Sequence, residues 1–149
     1  MIDEIFMKQA ISLAEQTKSG GNYPFGAVIV RDGKVVSSGQ SDELSENDVT
    51  KHAELQAVSM ACQTLGTTDL SDCTLYASGE PCNMCASSAF QADISRVVIG
   101  ATRNDLSNFF RKRAVGIKEL AKDTGYKVDI VTGVLKQEAI ILFDGVVKR

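Results

Sequence analysis

The stretch from residue 72 to 101, DCTLYASGEPCNMCASSAFQADISRVVIGA, constrains the fold of this chain more than any other. DCTLYAS and SRVVIGA are short runs of β-forming residues bounded by polar or glycine positions. PCNMCASSAFQ between them reads as a helix opened by Pro81, whose fixed φ suits a first helical turn. Two strands joined through a helix lie parallel in one sheet. The chain is therefore expected to be an α/β protein.

The flanking segments extend this unit. Ile2, Ile5, Phe6, Gln9, Ala10, Leu13 and Ala14 recur at helical spacing and predict an amphipathic helix over about 3–18. FGAVIVRDGKVVSSG reads as a β-hairpin turning on Asp32-Gly33. The polar QSDELSENDVT is a loop, with Glu43, Glu46 and Asp48 in solvent, and KHAELQAVSMACQTLG is a helix with Thr50 as N-cap and Gly66 as left-handed C-cap. NDLSNFFRKRAVGIKELAKDTG holds one or two short helices, YKVDIVTG a final strand, and VLKQEAIILFDGVVKR a closing helix. This order predicts one mixed sheet with helices on both faces, in a single domain spanning 1–149.

A chain of 149 residues buries one real core, and 44% hydrophobic with 23% charged residues is an ordinary globular balance. No apolar stretch approaches the ~20 residues of a membrane span, and the first residues carry neither a basic lead nor an apolar run, so the expected compartment is the cytoplasm. There the four cysteines are reduced, and a close pair reads as metal-binding or catalytic. A net charge of −3 argues against a polyanionic partner.

The chemistry concentrates at two helix starts. The only histidine, His52, stands two residues before Glu54, and Cys82 and Cys85 stand three apart after Pro81, so that both sulfurs leave one helix turn on one side. Free amides at a helix start lower thiol pKa values and favour the metal-binding form. If the two starts converge, Zn²⁺ receives one imidazole and two thiolates, its fourth position stays open to water, and Glu54 serves as proton carrier. Other readings compete. A lone histidine is often merely packed or solvated. A structural four-cysteine site has Cys62 and Cys73 to complete the count but shows only one close pair. A redox CxxC places its proline between the cysteines and has no use for the histidine and glutamate. Cys62 and Cys73 read as small buried residues.

His52-Ala53-Glu54 and Pro81-Cys82-Asn83-Met84-Cys85 resemble the HxE…PCxxC signature of the zinc-dependent cytidine/deoxycytidylate deaminase superfamily. PFGAVIV, HAELQAV, CTLYAS, EPCNMC and RVVIGA extend the likeness toward the branch of guanine, cytosine and tRNA adenosine deaminases. The resemblance implies a three-layer α/β/α sandwich around a mixed five-stranded sheet, one Zn²⁺ per subunit on His52, Cys82 and Cys85, Glu54 as catalytic proton shuttle, and a homodimer. It implies a small aminated heterocycle as substrate, held by Phe25, Ser41 and backbone groups of Ala53 and Cys82. The alternatives are adenosine deamination in tRNA and a non-catalytic zinc module.

Two segments depart from that family pattern. Relatives commonly carry an asparagine after the second strand where Gln40 and Ser41 stand here, which points to a different or smaller ligand. Guanine deaminases carry an acidic stretch where this chain has RNDLSNFF, with Asp105 its one acidic residue. FFRKR, residues 109–113, suggests base stacking and phosphate contact, but the acidic total favours a lid or subunit contact for the two phenylalanines and a solvated face for the cations.

Overall fold

The computed structural model describes residues 1–147. Strands β1 (Gly26–Arg31) and β2 (Lys34–Gln40) pair antiparallel and turn on Asp32 and Gly33, whose φ angles of 50° and 71° give the positive-φ pair that a two-residue hairpin favours. Strand β3 (Thr74–Gly79) pairs antiparallel with the other edge of β1, and β4 (Arg96–Ala101) and β5 (Asp129–Thr132) follow it in parallel. The sheet is mixed and five-stranded, in the order β2-β1-β3-β4-β5. Its middle three strands carry the hydrophobic runs that a sheet covered on both sides requires.

Alternation along those strands divides the core. Ala27 and Ile29 of β1 and Val97 and Ile99 of β4 pack with helices α2 (Ala53–Leu65), α3 (Asn83–Gln91) and α4 (Ile117–Thr124). Val28, Val30 and Val98 pack with α1 (Ile2–Ser19), and α5 (Lys136–Ile141) sets Ala139 against Ala101 and Leu106. The result is the expected three-layer α/β/α sandwich. Among the described residues no helix is long and apolar enough to cross a membrane.

Small residues bring the helices close to the sheet where the chemistry sits. Ala53, Ala57 and Ala61 of α2 and Ala86 and Ala89 of α3 are fully buried. Gly39, at the end of β2, lies so near α2 that a β-carbon there would sit 2.1 Å from the Ala53 carbonyl oxygen. Glycine is required at that contact, and it fixes the start of α2 against the strand.

Three expected helix boundaries shift. The N-cap of α2 is His52 rather than Thr50, because Asp48 takes the Thr50 amide (2.8 Å) and hydroxyl (2.6 Å) into a turn and the chain runs extended as far as His52. Cys82 caps α3, which leaves Pro81 just outside the helix instead of in its first turn. The closing helix is confined to Lys136–Ile141, since the chain then passes through turns to Gly145 at a φ of 74°. Residues 148–149, which the sequence reading placed in that helix, lie outside the described residues.

One ion pair ties the first helix to the sheet. Arg96 donates from both terminal nitrogens to Asp3, at 2.8 and 2.7 Å, and the Tyr76 hydroxyl donates to the same carboxylate at 2.8 Å. The Arg96 guanidinium holds the Asp3 carboxyl down from 3.8 to about 2. The stabilisation is complete above the unfolded value, and it is lost as pH falls from there through about 2. Asp3→Asn is expected to lower stability near neutrality by about 1 kcal/mol, a figure that allows for solvent screening of a bidentate, half-buried pair. Paired thermal melts check this: the difference of about 3 °C at pH 7 should shrink towards zero below pH 3.

Candidate active site

Two helix starts converge, as the sequence suggested. His52 and Cys82 hold the N-cap positions of α2 and α3 in extended backbone conformation, and neither side chain caps its own helix. Both side chains are therefore free to face each other. The Sγ atoms of Cys82 and Cys85 each lie 3.5 Å from Nδ1 of His52, and the three donor atoms lie within 4.8 Å of one another. Tetrahedral zinc with Zn–S near 2.3 Å and Zn–N near 2.0–2.1 Å puts sulfur and nitrogen about 3.6 Å apart. The donors fit that ion in both kind and spacing. Cys62 and Cys73 stand outside the cluster, so the four-cysteine alternative is not assembled.

The electrostatics of these donors agree. A hydrogen bond from Cys85, then one from His52, pull the Cys82 thiol well below its ordinary range, while the same bond and burial push Cys85 up. Cys82 in turn raises the His52 pKa against the opposing effect of burial. A divalent cation that binds both sulfurs as thiolates displaces their protons. Burial pushes the neighbouring Glu54 carboxyl up from 4.5 to about 7. Its side chain is 3% exposed, yet it borders a cavity.

That cavity has a volume of ≈ 260 Å³ and is lined by Phe25, Ser41, His52, Ala53, Glu54 and Cys82, with Cys85 buried behind it. Ser41 is held by its backbone, donating N–H to the Phe25 carbonyl at 3.0 Å and accepting from the Thr17 hydroxyl. The rest of the lining comes from residues that the sequence reading did not assign to the site. Tyr23 lies 5.3 Å from Phe109, ring centre to ring centre, and Phe143 lies 5.3 Å from Phe25 and 5.1 Å from Phe109, forming one aromatic wall. Phe109 and Phe110 thus cover the cavity from within the same chain. Only the paired aromatics ahead of three cations hinted at this.

Two further corrections concern charge. Glu43 is not solvated: it is 9% exposed, lines the cavity and places Oε1 3.8 Å from Nε2 of His52. Glu46 does face solvent and pairs with Lys51. Arg111 and Arg113 are exposed but reach the cavity rim, which a purely solvated face does not describe. Asp105 turns away to accept from the amide and hydroxyl of Thr102, both at 2.9 Å. Glu80, just ahead of Pro81, anchors the 102–116 loop by accepting from the amides of Arg103 and Ile117, each at 3.2 Å.

Residues 1–101 match the family model for the cytidine and deoxycytidylate deaminase zinc-binding region. The chain belongs to this family. The part of the deaminase that matches includes His52, Glu54, Cys82 and Cys85. It is 43% identical over 106 residues to a guanine deaminase of Bacillus subtilis, covering 70% of this chain and 68% of that one. It is 31% identical over 142 residues to a tRNA-specific adenosine deaminase of the same organism, covering 91% and 83%. The solved guanine deaminase from Nitrosomonas europaea superposes with a TM-score of 0.85 at 23% identity, over 95% of this chain and 82% of that one, a likeness of fold. The deaminase fold and the zinc-binding donor set thus agree with what the resemblance implied.

Proposed function

We propose that this protein is a zinc-dependent hydrolase that releases ammonia from a small aminated heterocycle of the guanine or cytosine type, with Glu54 as its catalytic proton carrier. The observation that carries the reading is the position of Glu54. It is buried beside the donor set and borders an aromatic-walled cavity of nucleobase size, where a purely structural zinc site has no use for a carboxylate. Zinc, when bound by His52, Cys82 and Cys85, supplies Lewis acidity that lowers the pKa of water.

The remaining work falls to the chain. Phe25 and the Phe109 wall exclude bulk water and hold the ring, with backbone groups of Ala53 and Cys82 and the Ser41 hydroxyl at its edge. Glu54 takes a proton from the attacking water and delivers it to the ring nitrogen beside the amine-bearing carbon. It then passes a proton to the departing amine, so that water and the aminated ring become ammonia and a ring carbonyl. Ser41 offers one short hydroxyl where relatives present an amide, which favours a ring with a different hydrogen-bonding edge. The same reading includes a single domain over 1–149, a homodimer and a cytoplasmic location, as the family resemblance implies.

The test is ammonia release by zinc-loaded protein from cytosine, guanine, adenine, isoguanine, amino-triazines and the matching nucleosides. At least one ring should be converted to its oxo product with ammonia released one for one. Zinc-loaded protein that converts none of them, nor adenosine in tRNA, contradicts the reading.

A further inference from the structure

The first cavity adjoins a second of ≈ 590 Å³ beneath the 102–116 loop, and Arg103, Phe110, Arg111 and Arg113 belong to the walls of both. Lys112 extends the basic lining of the second cavity. This local excess of positive charge runs against the sign of the whole chain, which is −3. Among the described residues, none of the ion pairs involves Arg103, Arg111, Lys112 or Arg113. The one carboxylate on the shared wall, Glu80, is engaged by two backbone amides. Arg103 is half-buried, with its guanidinium 4.1 Å from the centre of the Phe110 ring, so its position is fixed by stacking. Burial and then the charge of Arg113 lower its pKa, against the opposing charges of Glu80 and Cys82.

Like charges held together at the wall of a half-open cavity are stabilised by an anion, and guanidinium forks suit phosphate and carboxylate oxygens. We propose that the deaminase's substrate carries an anionic arm, a phosphate or carboxylate, which Arg103, Arg111 and Arg113 hold in the second cavity while the aminated ring occupies the first. The inference rests on the first cavity being the deamination site, and it narrows the substrate class from free bases to rings bearing such an arm. A small ligand fits better than a polynucleotide, because the cations line a cavity of ≈ 590 Å³ and the chain as a whole is acidic.

The experiment compares zinc-loaded wild type with the double variant Arg111→Gln/Arg113→Gln. Both residues are exposed and outside helices and strands, so the variant should fold. Calorimetric titrations use inorganic phosphate alone, then guanosine and cytidine with their 5′-monophosphates. Wild type should bind inorganic phosphate and prefer a monophosphate to its nucleoside by about 10- to 100-fold, and the variant should lose both properties.

Wild type that prefers neither the phosphate-bearing nor the carboxylate-bearing ligand, or a preference that survives the double substitution, overturns the proposal. So does arginine-dependent binding of tRNA without any preference among the small ligands, which would assign the cations to an RNA backbone. A carboxylate-bearing pterin such as folate distinguishes the two arms: arginine-dependent binding of folate over pterin supports the carboxylate form. An arginine-dependent phosphate preference without ammonia release from any probe refutes the deamination reading and leaves the anion site standing.

Discussion

Glu54→Gln is expected to reduce turnover by about 10³-fold while one zinc per chain is retained. General acid–base catalysis by a positioned side chain is typically worth 10²–10⁴-fold. Glutamine preserves the volume and polarity of a fully enclosed side chain but cannot carry a proton. The three zinc donors are untouched, and metal content by mass spectrometry should match wild type. The loss should fall on kcat rather than KM, because the substituted group acts on protons in flight and not on the bound ring. Unchanged turnover would remove Glu54 from the chemistry.

Cys82→Ser and Cys85→Ser should each weaken zinc by more than ~100-fold, since altering even an outer-shell partner typically weakens metal affinity 10- to 100-fold. Activity should disappear with the metal. The two variants should nonetheless differ. Cys82 stands at a helix cap and is partly exposed, so its serine variant should keep its fold. Cys85 is fully buried beside His52, Cys82 and Glu54, and the smaller serine side chain leaves unfilled space there. Its variant should melt lower by several degrees. Competition with a chromogenic chelator measures the first effect and thermal melts the second. Restoring zinc to chelator-stripped wild type should return both activity and stability.

Much of this architecture was legible because it is written in short sequence intervals. Asp32-Gly33 specifies a hairpin, the continuous apolar run VVIGA specifies a strand covered on both faces, and the cysteines at 82 and 85 lie on one helix turn. His52 and Glu54 were visible for the same reason. The boundary errors arose where a local hydrogen bond outweighed propensity: Asp48 captured Thr50 and delayed α2 to His52. The rest of the cavity was hidden because Tyr23, Glu43, Glu80 and Arg103 come from distant segments that meet only after the sheet is built. No periodicity marks them. Glu43 in particular looked like one more acidic loop residue until its loop folded back over His52.

The central claim is a zinc ion held by one imidazole and two thiolates, with its remaining position available for chemistry. X-ray absorption at the zinc edge of the metal-loaded wild-type protein tests it most directly. The predicted spectrum has two sulfurs near 2.3 Å and two lighter nitrogen or oxygen atoms near 2.0–2.1 Å, one of them with the outer-shell scattering of an imidazole. A four-sulfur shell, or protein that purifies and reconstitutes without zinc, would contradict it.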